Sequence, residues 1–406
     1  MIDVASLLQG GDARTDVSTY IITPAIVALI GLQALIVSFN KLSTPVKQLL
    51  ATPLLAADLL IPINFTANHK VVDLCISVML FNVFLRFFEL FWIAPVLYGK
   101  PAYASMDYLH VELFSSVRKF PKTNKDGETP MEFTKDKKVY HILIEMLYHA
   151  AVCDVVGAWY STYTGRDVLD MQQSNPAMFF LFFVVAIFVL NSAFNAIGCG
   201  QRLLYVLWYE GGSYSSEQWR PWMKNPIIAS SLDELWSDRW HQLLRSSWVA
   251  FAFRPTRFVA QRALAKHIKD PMPIVLLLSV ASVFAISGLM HEYIIYANVG
   301  WSVYRRFFVG QQFCFFYAHG LATVFERVFR KVAKRVLPLA LYNSIFARLV
   351  QHAWVVLFAY YTFPTFLDGF AYWGLWLDNP FQNTKPYVWQ FLRTIPEARA
   401  FCGSLL

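Results

Sequence analysis

From Phe179 to Leu190 the chain reads FFLFFVVAIFVL, without one charged or hydrogen-bonding side chain, and the apolar run extends to about Pro176 and Trp208. A hydrocarbon core roughly 30 Å thick is crossed by a helix rising about 1.5 Å per residue in about twenty residues. Further candidate spans are Tyr20 to Phe39, about Leu49 to Phe65, Val71 to Tyr98, Met272 to Ala297, Tyr304 to Phe325 and Leu337 to Phe363. His141 to Tyr160 carries Glu145, His149 and Asp154 and reads either as a span with a polar inner face, the favoured reading, or as a helix lying in the interface. The pattern predicts an all-α polytopic membrane protein of about eight transmembrane helices, supplemented by amphipathic interfacial helices.

Composition agrees. With 56% hydrophobic, 17% aromatic and only 15% charged residues in 406, the chain is too apolar for an ordinary soluble domain. The net charge of +8 is concentrated in a few loops, which suits anionic headgroups or a phosphorylated ligand better than nucleic acid. Five scattered cysteines form no CxxC pair and make an odd number, which argues against a disulfide framework or a zinc site.

Loop charges set the expected orientation. Residues 1–19 are polar, with no basic stretch ahead of an apolar core, so the first span is expected to be retained. The segment 99–139 carries Arg118, Lys119, Lys122, Lys125, Lys135, Lys137 and Lys138 and is expected in the cytosol. The same rule places 210–270 at the cytosolic face, while Pro364 onward reads as a C-terminal interfacial tail, 364–406. Arg305 and Arg306 oppose this topology unless they snorkel to the luminal interface. No internal repeat or linker is visible, so a single membrane domain, 1–406, is expected.

Two segments carry chemistry, one histidine each. In SLDELWSDRWHQLLR, Ser231 to Arg245, Ser231 followed by Glu234 is a capping box, and the apolar residues then recur at helical spacing. An amphipathic helix is expected, with Glu234, Asp238, His241 and Arg245 along one face. In SGLMHEY, Ser287 to Tyr293, His291 ends an apolar run beginning at Ile274, where little could hydrate an imidazole. Histidine also serves as polar glue between helices in lipid, so His291 alone proves nothing. Ser287 and Gly288 lie one turn before it, leaving room either for a substrate or for another helix.

Neighbouring alternatives fail on spacing. Glu292 points about 100° away from His291 and is read as structural. HExxH fails because Ile295 stands where the second histidine belongs. His149 and Asp154 are five apart and fall on different helix faces, and no GxSxG elbow or P-loop occurs.

Taken together, the two segments resemble the S-L-x-x-F-W-x-x-R-W-N/H and S-G-x-x-H-E elements of the wax synthase-like branch of the membrane-bound O-acyltransferases. The likeness continues into FFYAHGLATVFER, Phe315 to Arg327, and covers roughly the second half of the chain. It implies a multi-helix enzyme of the endoplasmic reticulum enclosing a chamber, with acyl-CoA entering from the cytosol and an apolar alcohol from the bilayer. His291 would be the catalytic histidine, and His241 stands where many members have asparagine. No tightly bound cofactor or metal is implied, acyl-CoA being a co-substrate.

In that mechanism neutral His291 accepts the proton of the alcohol as it attacks the thioester, with no acyl-enzyme. His241 donates a hydrogen bond to the oxyanion or the alcohol, Asp238 fixes its tautomer, and Ser287 supports His291. Arg239, Arg245, Arg254 and Arg257 are candidates for the CoA phosphates, although ordinary positive-inside residues would look the same. Relatives include wax-ester makers and enzymes that acetylate terpenoids and other secondary metabolites. Chain size favours a short donor such as acetyl-CoA. The alternatives are a transporter or channel, motivated by intramembrane Asp58, Arg86, Glu89, His319, Glu326 and His352, and a non-catalytic scaffold.

Overall fold

The computed structural model describes residues 8–120 and 133–406; Lys122 and Lys125 of the expected cytosolic loop, and the first seven residues, lie outside them. Six helices among the described residues are long and apolar enough to cross a membrane: Thr19–Ser38, Thr44–Asn64, Lys70–Tyr98, Val139–Tyr160, Pro176–Tyr209 and Met272–Val299. Each coincides with an expected span to within a few residues. Large apolar side chains left exposed on them, such as Leu32, Leu35, Leu49, Leu147 and Leu204, are what a helix facing lipid carries.

Local chemistry explains where they begin. Ser18 Oγ accepts from Tyr20 N at the first span. Asn175 Oδ1 accepts from Met178 N at 3.1 Å, with Pro176 pre-set in the first turn of Pro176–Tyr209. Thr164 and Asp167 form a reciprocal capping box on the short helix Gly165–Ser174 between two spans. The only strands among the described residues are short. Thr15–Asp16 pairs in parallel with Phe65–Thr66, and Lys137–Lys138 pairs antiparallel with Ser213–Tyr214.

The last two expected spans are redrawn. Instead of Tyr304 to Phe325, a short helix Trp301–Phe307 ends at a turn containing Gly310, whose φ is 80°, and a new helix runs Gln311–Val336. Arg305 and Arg306 therefore belong to the exposed short helix, not to the long one, and Arg306 lies over the Phe307 ring at 5.1 Å. Instead of Leu337 to Phe363, the helix is Ile345–Trp373, continuous through Pro364. The expected tail thus begins inside a helix. Beyond it lie Lys385–Thr394 and a final segment hydrogen-bonded to residues 159–167, with Phe401 O accepting from Trp159 Nε1 at 2.7 Å and Tyr163 Oη at 2.6 Å.

The chain forms two compact units. The first comprises residues 1–110, 244–325 and 362–378, and the second 111–243, 326–361 and 379–406. In the first, Val37, Leu55, Phe87 and Phe91 form one buried cluster, and Ile22, Ile26, Ile76 and Leu80 another. Lys47, fully buried, gives its ammonium to the carbonyls of Val37 and Ala102 at 2.8 and 2.7 Å. In the second, Tyr205, Tyr214, Trp219 and Trp222 form the core, and Arg118 bonds Glu210 at 2.7 Å beside them.

Candidate active site

His291 belongs to the first unit, on Met272–Val299, and is 9% exposed. Its Nδ1 lies 2.8 Å from the carbonyl of Ser287, one turn earlier. A carbonyl can only accept, so Nδ1 donates and the ring's lone pair resides on Nε2. The helix backbone itself fixes the tautomer. The imidazole packs against Phe316 of Gln311–Val336, with centroids 4.2 Å apart, and Phe366 of Ile345–Trp373, at 5.7 Å.

Close helix contact at this level depends on Gly288. A Cβ there would meet the Phe313 Cα at 2.8 Å, so the small residue makes room for a neighbouring helix, not for a substrate. Glu292 clamps the same junction, its carboxylate accepting from Phe313 N at 2.9 Å and Tyr304 Oη at 2.7 Å. Further along, His319 Nε2 lies 2.9 Å from Thr362 Oγ1, and its ring rests on Phe315 at 4.4 Å.

His241 belongs to the second unit, and its surroundings correct the expected amphipathic helix. Ser231 Oγ does accept from Glu234 N at 3.0 Å, but the Glu234 carboxylate reaches back to Ser230, at N and Oγ, completing the cap one residue early. The helix Leu232–Glu234 then widens into a π turn, Leu235–Arg239, closed by Trp240 N to Leu235 O at 2.7 Å. Trp240 is extended, with ψ of 156°. The following stretch is tied sideways, by Lys224 N to Arg239 O and Gln242 N to Trp222 O, while Gln242 Nε2 holds Trp240 O at 2.8 Å. His241 is thereby buried outside any helix, stacked nearly parallel on Phe194 at 4.9 Å.

This geometry removes the reason for pairing Asp238 with His241. The three-residue spacing put them on one face only of a continuous helix. Asp238 instead bonds Lys224 Nζ at 2.6 Å, largely exposed. Arg239 is engaged by the Glu234 carboxylate and the Lys224 carbonyl, at 2.7 and 2.8 Å. Arg245, Arg254 and Arg257 are exposed in the first unit, the last two at the start of the helix Arg254–Leu264.

The ionisable residues that suggested a carrier all have local partners. Asp58 takes two bonds from Gln33 Nε2, and Arg86 pairs with Glu89 at 3.2 Å and Tyr108 at 2.7 Å. Glu326 accepts from Leu232 N at 2.8 Å and Trp354 Nε1 at 3.3 Å, and His352 Nδ1 donates to Ala229 O at 3.0 Å. The Gln33–Asp58 and Trp354–Glu326 bonds join helix to helix, the commoner use of polar groups in lipid.

Residues 219–317, which include both histidines, match the model of the membrane bound O-acyl transferase family. By that segment the chain is similar to the membrane-bound O-acyltransferases. A curated relative, "Probable long-chain-alcohol O-fatty-acyltransferase 7" of Arabidopsis thaliana, is 28% identical over 113 residues, which is 28% of this chain and 30% of the relative. The chain thus matches under a third of that protein's length. Sequence reasoning found both histidines but missed Phe316 and Phe366. Phe316 lay inside the quoted FFYAHGLATVFER string and could have been weighed by its position after the second motif. Phe366 comes from a third helix and had no local signal.

Proposed function

We propose that the chain transfers an acyl group from acyl-CoA to the hydroxyl of an apolar alcohol, with His291 as general base. The observation that carries the reading is the Nδ1–H to Ser287 O bond. It leaves Nε2 as the proton acceptor on a buried ring walled by Phe316 and Phe366, within the segment that matches the family. The hydroxyl proton passes to Nε2 as the oxygen attacks the thioester carbonyl. The C–S bond then breaks, and the protonated ring returns the proton to the leaving thiolate.

His241, buried against Phe194 in the second unit, supplies a hydrogen-bond donor at the position where many relatives have asparagine. Arg245, Arg254 and Arg257 provide charge for the CoA phosphates. The carrier alternative is disfavoured by the local pairing of Asp58, Arg86, Glu326 and His352.

Two donor classes remain in contention. Crowding of His291 by phenylalanine rings supports an acetyl or other short donor, used on a bulky apolar alcohol such as a terpenoid. The name of the plant relative supports a fatty donor and a long-chain alcohol. Endoplasmic reticulum membranes carrying the chain, given labelled acetyl-CoA or palmitoyl-CoA with a panel of fatty and terpenoid alcohols, test both. Alcohol-dependent ester formation supports the reading and identifies the donor. Solute flux without CoA dependence, and no ester, would replace it with a carrier.

A further inference from the structure

Gln312, the second residue of Gln311–Val336, is 1% exposed, and its amide nitrogen donates to the carbonyls of Thr365 at 3.1 Å and Phe366 at 2.8 Å. Carbonyls only accept, so turning the amide over would set oxygen against oxygen; its orientation is fixed. Its Oε1 is left buried with no hydrogen-bond donor among the described residues. A buried acceptor in this state carries a desolvation penalty that a donor on a bound molecule would remove.

The position of this oxygen gives it meaning. Gln312 precedes Phe313, the residue against which Gly288 is pressed, and lies one turn before Phe316, the ring 4.2 Å from His291. The carbonyl it holds at 2.8 Å belongs to Phe366, which supplies the second ring beside His291. The unpaired acceptor thus belongs to a side chain one turn from Phe316 and bonded to the backbone of Phe366.

We propose that Gln312 Oε1 accepts an amide N–H from the pantetheine arm of acyl-CoA and so positions the thioester beside His291. The assignment rests on the acyl-transfer reading. Oε1 accepts and cannot donate, so its partner must bring an N–H or O–H. The alcohol brings one hydroxyl proton, and general-base catalysis commits that proton to His291 Nε2. The thioester sulfur and carbonyl have none. The amide N–H two methylene groups from the sulfur is the nearest donor left, which makes Gln312 a positioning residue for the acyl donor.

The test uses two small donors, an S-acyl-N-acetylcysteamine and its analogue with an ester oxygen in place of that N–H. Loss of one such hydrogen bond should raise the donor KM of the unmodified chain about tenfold. In Gln312→Met the two donors should become equivalent, with the alcohol KM unchanged. The same discrimination in both chains, or a shift in alcohol KM in place of donor KM, would overturn the assignment. Equal KM for the two donors with the unmodified chain would also overturn it, whether or not Gln312→Met folds, and is the result expected if Oε1 holds only water. Ester formation without discrimination removes this assignment alone; no ester from acyl-CoA or either small donor removes the function reading with it.

Discussion

Gly288→Ala probes the helix junction beside His291. The new Cβ would lie 2.8 Å from the Phe313 Cα and 3.4 Å from both Phe313 Cδ2 and O. Carbon atoms in contact prefer about 3.5–4.0 Å, and a backbone atom cannot rotate aside, so the two helices must part by roughly half an ångström or more. Overpacking of this kind costs about 1–3 kcal/mol. Because Phe313 and Phe316 share a helix, the displacement also loosens the ring packed on His291. Gly31, on Thr19–Ser38, is the control: nothing lies within 4 Å of a Cβ there, and alanine in a helix interior should add about 0.5–1 kcal/mol. Thermal unfolding of the detergent-purified variants, with ester formation measured well below the midpoint, should show Gly288→Ala less stable by a few degrees and slower, and Gly31→Ala neither. Equal midpoints and equal rates would refute the packing argument.

Two further outcomes follow from individual side chains. Asp238→Asn should change ester formation less than about twofold and stability by less than about 1 kcal/mol, because an exposed pair with Lys224 is all it loses; a large drop in kcat would restore a role beside His241. At Asp167, burial opposes ionisation, but bonds from Thr164 and Ser404 outweigh it and hold the carboxyl below its ordinary value. A lowered folded-state value means that the contribution is complete above the ordinary carboxylate range and is lost as pH falls through the lowered value. Asp167→Ala should therefore loosen the attachment of Ser404 and cost about 1–3 kcal/mol near neutral pH, read as faster carboxypeptidase release of the last residues. Unchanged digestion would show that this carboxylate does not hold the terminus.

The membrane helices were legible because lipid demands length and apolarity, and both are local. Thr19–Ser38, Val139–Tyr160, Pro176–Tyr209 and Met272–Val299 end close to where the apolar runs end. The His241 segment was not legible, for a physical reason. Its apolar spacing suits a helix, but the chain leaves that path at Arg239, where Trp240 N closes on Leu235 and the flanking backbone bonds go to Trp222 and Lys224. Those partners are tertiary, and no periodicity encodes them. Around His291 the sequence supplied the ring and its small neighbours, whereas Phe366 and the unpaired Gln312 oxygen depend on which helices meet. Arg305 was misplaced because the turn at Gly310 interrupts a run whose composition hardly changes.

His291→Ala measures the central claim most directly. With equal amounts of folded, inserted protein and the same acyl-CoA and alcohol, losing the positioned base should lower the rate of ester formation by about 10² to 10⁴. Turnover equal to that of the unmodified chain would contradict the assignment of Nε2 as the proton acceptor.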